Sequence, residues 1–221
     1  MGTYNMKYIL RLLMLTLLWP LLLSTTAMAI DYEEGIAYQS ILPEQPTSTK
    51  EKIEVVELFW YGCPHCHRFE PFIERWLESK ADYIEFVRVP AILRPEWQIH
   101  ARAYYTAEAL NVLDKIHTPL FEAIHNQKRK LNSEEELTAF FVELGIDEKA
   151  FKKAFKSFGV DAKVRRATEM GQRYGVSGTP AVVINGKYRT DGTICKCGFA
   201  EVMNIVDALA EKEHNLMVKK D

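Results

Sequence analysis

Cys63-Pro64-His65-Cys66 stands between an apolar run, Ile53 to Trp60, and a helix-like run from Arg68 to Trp76, so two cysteines sit at a strand-to-helix junction. Ile53 to Trp60 is apolar on both faces apart from Glu57, as expected of a strand buried within a sheet. The spacing predicts a helix from about Pro64 to Lys80. Pro64 suits the first helical position, where its missing N–H would be unpaired in any case. Free N–H groups and the helix dipole favour negative charge there, and the thiolate is the reactive form of cysteine. Cys63 is therefore expected to attack and be attacked, with Cys66, one turn on and facing inward, resolving the mixed disulfide. His65 adds a donor or a positive charge beside the sulfur. A structural disulfide, or half of a zinc site completed by Cys195 and Cys197, is the competing reading. Zinc knuckles want flexible Gly-containing turns around each pair, which a buried strand running straight into an amphipathic helix does not supply.

The first residues place this chemistry. Lys7 and Arg11 precede an apolar stretch from Leu12 to Leu23, and Ala27-Met28-Ala29 has the small-x-small cleavage pattern. Residues 1–29 read as a secretory signal peptide cut after Ala29; an uncleaved anchor would want a longer apolar core than one interrupted by Pro20. Its loss takes two basic residues from the 28, leaving 26 against 30 acidic ones and a net charge of about −4. That mild acidity carries no nucleic-acid footprint. Four cysteines are few for an exported protein that uses disulfides as staples.

Downstream, Asp31 to Lys50 reads as an irregular lead-in, and Tyr83 to Val89 alternates as a second strand, parallel to the first by the βαβ rule. Helices are predicted at Glu96–Asn111, Lys115–Asn126, Ser133–Gly145, Asp147–Ser157 and Asp161–Tyr174. Ser133 with Glu136 forms a capping box. The aromatics of this stretch fall at helical spacing and read as packing of a helical subdomain. Ala181 to Ile184, the Asn185-Gly186 turn and Lys187 to Thr190 form a hairpin, and a last helix covers about Phe199 to His214.

CPHC after the first strand, the helical insertion, the Val176-Ser177-Gly178-Thr179-Pro180-Ala181 turn and the exported N-terminus together resemble the bacterial DsbA family of thiol:disulfide oxidoreductases, over essentially the whole mature chain. The resemblance implies an α/β thioredoxin fold with an inserted all-helical subdomain: residues 30–90 and 161–221 the thioredoxin-like parts, 91–160 the insertion. It implies a periplasmic oxidase that donates the Cys63–Cys66 disulfide to newly exported polypeptides with free thiols. A DsbB-like membrane quinone reductase would reoxidise it. Neither a cofactor nor a metal is called for.

In thioredoxin-like proteins the proline corresponding to Pro180 is cis and packs beside the active-site disulfide, so Thr179 would pair with an extended substrate as an added strand. Thr before this proline is frequent in thioredoxins and isomerases, whereas oxidases of the family often carry Val, which keeps an isomerase or reductase direction open; a peptide or metal chaperone is a further alternative. Glu57, costly to bury ionised, is by resemblance a proton relay for Cys66; otherwise it is a structural carboxylate reaching solvent or a lysine such as Lys52. Cys195-Lys196-Cys197 has no counterpart in the family pattern. A pair this close closes only a small, strained ring, and a local disulfide, a redox-active pair, free thiols and a metal-binding pair all stay open.

Overall fold

The computed structural model describes residues 31–219; the leader expected at 1–29 lies outside them. Five strands form one mixed sheet in the order β1-β5-β4-β2-β3. These are β1 (Gln39–Ser40), β2 (Ile53–Phe59), β3 (Ile84–Pro90), β4 (Ala181–Ile184) and β5 (Tyr188–Thr190). β2 pairs parallel with β3 and antiparallel with β4, so the strand leading to the two cysteines is flanked on both sides within the sheet. All seven of its residues are buried, which is why the run lacks a polar face.

Alternation along β2 and β4 divides the core. Val56, Leu58, Ala181 and Val183 face the helical insertion. Ile53, Val55, Val182 and Ile184 face α1 (Pro64–Ser79) and the closing helix α7 (Phe199–Val218). Glu57, two residues after Val55 on the same side of the strand, therefore projects toward α1. The insertion comprises α2 (Gln98–Ala109), α3 (Leu113–His125), α4 (Glu134–Glu143) and α5 (Glu148–Phe155), followed by α6 (Phe158–Arg173). The buried rings of Phe121, Phe141, Phe151 and Phe155 fill its interior. Among the described residues, no helix is long and apolar enough to cross a membrane.

The elements depart from expectation in four places. Asp31–Lys50 is not wholly irregular, because Gln39 and Ser40 pair with Arg189 and Tyr188 of β5; two residues are too few to show a period. A 3₁₀ turn at Pro95–Trp97 precedes α2, so the long helix expected from Glu96 is divided. α6 begins at Phe158 because the Ser157 hydroxyl accepts the Val160 N–H, and the expected boundary at 160/161 falls inside this helix. α7 runs four residues beyond His214.

Candidate active site

Cys63 is the N-cap of α1 and Pro64 its first residue. The Cys63 sulfur accepts the Cys66 N–H at 3.5 Å, one of the donors that a helix start leaves without an intrahelical partner. Both cysteines are buried, Cys66 completely. The Thr179–Pro180 peptide is cis, and the protonated Cys63 thiol points at the Thr179 carbonyl, 3.3 Å away. The loop therefore lies directly against the sulfur. Beside it runs an open groove of about 850 Å³, lined among others by His65, Ser177, Gly178, Thr179 and Pro180.

The two thiols are driven in opposite directions. A hydrogen bond from Cys66 is the largest influence on Cys63; aided by the Thr179 hydroxyl and the N–H groups of Cys66 and His65, it overcomes burial and brings the thiol down to about 5. Burial, the hydrogen bond given to Cys63 and the negative charge there push Cys66 well above the usual thiol range. One sulfur is set up as thiolate, its partner as thiol. His65 contributes through its backbone. Its exposed imidazole turns instead to Arg68, with Nδ1 2.9 Å from the guanidinium.

Glu57 lies in a buried ionic cluster. The β2–β3 register sets Glu57 opposite Arg88, whose Nε donates to Glu57 Oε2 at 3.1 Å while an Nη donates to Glu70 at 3.0 Å and Glu74 at 3.1 Å. Lys52 is not the partner; it pairs with Glu85. Burial, followed by repulsion from Glu70, pushes Glu57 up to about 7, against the pull of Arg88. The Glu57 charge also acts to raise Cys66, so the two groups sense each other's proton.

The insertion reaches the site through α3. His117 Nδ1 is 2.8 Å from the buried Tyr61 hydroxyl and its Nε2 is 3.4 Å from Glu70. His125 Nε2 is 2.7 Å from the Tyr61 carbonyl, and its ring stacks on His67, which pairs with Glu122 at 3.0 Å. Burial holds His117 down at about 3, so its imidazole is neutral. Sequence spacing offered no reason to select Arg88, Glu70, His117 or His125 for the site. The one available signal was the charge of Arg88 inside an otherwise strand-like run. Trp60 stacks on Trp97 and Tyr61 is core, so neither lines the main groove.

Cys195 and Cys197 are joined to each other by a disulfide, which leaves neither sulfur to complete a metal site with Cys63 and Cys66. Cys197 borders the same groove as Thr179 and Pro180.

A dithiol split into thiolate and thiol at a helix N-terminus, directly after an interior strand of this sheet, defines a class: the thioredoxin-fold proteins that exchange thiols with disulfides. Residues 54–204 match the DSBA-like thioredoxin domain. Thiol:disulfide interchange protein DsbA of Pseudomonas aeruginosa is 39% identical over 192 residues, covering 87% of this chain and 90% of that protein. Its namesake in Azotobacter vinelandii is 41% identical over 186 residues, covering 84% and 86%. The crystal structure of Pseudomonas aeruginosa DsbA superposes with a TM-score of 0.80 at 39% identity, covering 84% of this chain and 96% of that one. The chain belongs to the DsbA-like thioredoxin-domain family, and it is a thiol:disulfide oxidoreductase.

Proposed function

We propose that this chain oxidises exported polypeptides, with Cys63 as the exchanging sulfur and Cys66 as the resolving one. The observation that carries the direction is the depressed Cys63 thiol, at about 5, above a Cys66 thiol held protonated. A thiolate stabilised only in the reduced form makes the disulfide a better electron acceptor. A substrate thiolate attacks Cys63, Cys66 leaves and takes a proton, and a second substrate thiol displaces Cys63, which leaves as thiolate. Glu57 supplies and accepts the Cys66 proton, supported by its position near neutrality and its electrostatic contact with that sulfur. Pro64 starts the helix, His65 provides a backbone donor, and Thr179 with Pro180 forms the edge on which an extended chain adds as a strand.

The relatives, each called a thiol:disulfide interchange protein, support a periplasmic setting; the small-x-small pattern at Ala27-Met28-Ala29 supports removal of residues 1–29 after Ala29, and a DsbB-like membrane quinone reductase is the reoxidant this reading calls for. Residues 30–90 and the chain from α6 onward then form the thioredoxin-like part, interrupted by the helical insertion that ends before Phe158. The test is trapping. Cys66→Ser protein mixed with a reduced dithiol peptide should accumulate a mixed disulfide that peptide mapping assigns to Cys63; a protein that accumulates none at Cys63 sinks the reading.

A further inference from the structure

The disulfide between Cys195 and Cys197 spans two residues, so as a cross-link it restrains the unfolded chain far less than one joining distant segments. The loop that carries it is ordered by other means. Asp191 Oδ1 accepts the N–H groups of Thr193 at 2.7 Å and Ile194 at 2.8 Å, and the Asp191 carbonyl accepts that of Cys195 at 3.1 Å. A staple adds little there. Position argues for chemistry instead. Cys197, Gly198 and Phe199 line the same groove as His65, Thr179 and Pro180, and both cysteines are partly exposed.

Cys197 immediately precedes Gly198, the N-cap of the 20-residue helix α7, and Gly198 offers no side chain to the free N–H groups of the first turn. A thiolate released at Cys197, one residue before that N-cap, lies near the positive end of the dipole. Exposed Lys196, between the two sulfurs in sequence, adds a second positive influence. Cys63 at the head of α1 enjoys the same kind of support. Cys197 thus lines the groove directly, and Cys63 lies behind its Thr179–Pro180 wall, with its sulfur 3.3 Å from the Thr179 carbonyl.

We propose that Cys195–Cys197 is a second redox-active disulfide, which oxidises a dithiol polypeptide lying in the groove beside Thr179 and Pro180. This rests on the reading of that groove as the substrate's seat. A substrate thiolate attacks Cys197 Sγ, the Cys195–Cys197 bond breaks, and Cys195 leaves as a thiolate that takes up a proton. A second substrate thiolate attacks the substrate sulfur of the mixed disulfide, and Cys197 leaves as thiolate. The substrate loses two electrons and forms one disulfide; Cys195 and Cys197 gain two electrons and become a dithiol.

The test uses fully oxidised mature protein and an excess of a reduced peptide bearing two cysteines, without oxygen or any other oxidant. Wild type should form two equivalents of peptide disulfide, Cys63→Ser/Cys66→Ser one, and the variant that also carries Cys195→Ser/Cys197→Ser none. A double variant that forms no peptide disulfide overturns the proposal. If it forms one equivalent and wild type also forms only one, the Cys63–Cys66 assignment fails while the second site stands. Alkylation mapping of wild type after the reaction avoids any effect of substitution on folding. Label at Cys195 and Cys197 supports the proposal, and label confined to Cys63 and Cys66 overturns it.

Discussion

Acidifying the reduced protein from about pH 7 to about pH 4 should cost it native stability through Cys63, by an amount that the site allows us to work out. In the fold this thiol ionises at about 5, against an ordinary value of 9.0. Between those values the unfolded chain holds a proton that the native thiolate has released, so stability rises with pH across the window. The contribution is complete above the ordinary value and disappears as pH falls through the native one. At pH 7 about two units of the window have been crossed, at roughly 1.36 kcal/mol each, or about 2.7 kcal/mol. Solvent at the mouth of the site screens part of it, and we expect roughly 1.5–2.5 kcal/mol. The disulfide holds no such thiolate, so the same energy favours dithiol over disulfide and raises the two-electron potential by about 30–50 mV. Urea denaturation of reduced wild type and Cys63→Ser at both pH values gives the number as a difference of differences, in which carboxylates common to both proteins cancel. Thiolate absorbance followed against pH should show a midpoint near 5. A difference below about 0.5 kcal/mol, with a midpoint at the ordinary thiol value, would refute thiolate stabilisation and remove the reason for an oxidising direction.

Glu57→Gln should abolish the inflection near 7 in the pH profile of thiol exchange, and an unchanged profile excludes a proton relay. Because the native Glu57 pKa is raised, its contribution to stability is complete below the ordinary 4.5 and is lost as pH rises through about 7; the Gln protein should gain on wild type over that interval in urea melts. Arg88→Met leaves Glu57 and Glu70 buried side by side without their common cation, and should cost about 3–5 kcal/mol at neutral pH, with part recovered in acid as the carboxylates protonate. Gly186→Ala puts a Cβ 2.1 Å from the Gln45 carbonyl oxygen at φ +65°, whereas Gly178→Ala meets nothing within 4 Å. Thermal denaturation should register a loss of more than about 1 kcal/mol for the first and a change within about 0.5 kcal/mol for the second.

What the sequence made legible was local. Cys63 as cap and Pro64 as first helical residue fix the start of α1 within one turn, and the helix forms there. Ser133 and Glu136 exchange the two hydrogen bonds of a capping box, and Asn185 and Gly186 both take the positive φ that a tight hairpin needs. Each signal concerns backbone groups a few residues apart. A local signal was also missed at Ser157, whose hydroxyl caps Val160 and starts the helix three residues before the predicted Asp161. The buried ionic partners of the site were not legible, because they come from far along the chain. Arg88 reaches Glu57 across 31 residues and His117 reaches Tyr61 across 56. No period or cap encodes a register between strands or the face that α3 turns to the cysteines.

His65 acts on Cys63 by a different route from the one its side chain suggests. Its place beside the sulfur suggests an imidazole acting on the thiolate, yet that ring turns to Arg68 and the contribution to Cys63 comes from the His65 N–H. A backbone donor is present whatever the side chain, so it does not by itself distinguish one dipeptide from another between the cysteines. The largest influence on Cys63 is Cys66 itself. Oxidation joins the two sulfurs and removes that hydrogen bond together with the thiolate it served. A stabiliser that exists only in the reduced protein acts wholly on the difference between the redox states. The direction of electron flow thus rests more on the pairing of an outer thiolate with a buried thiol than on the charge of His65.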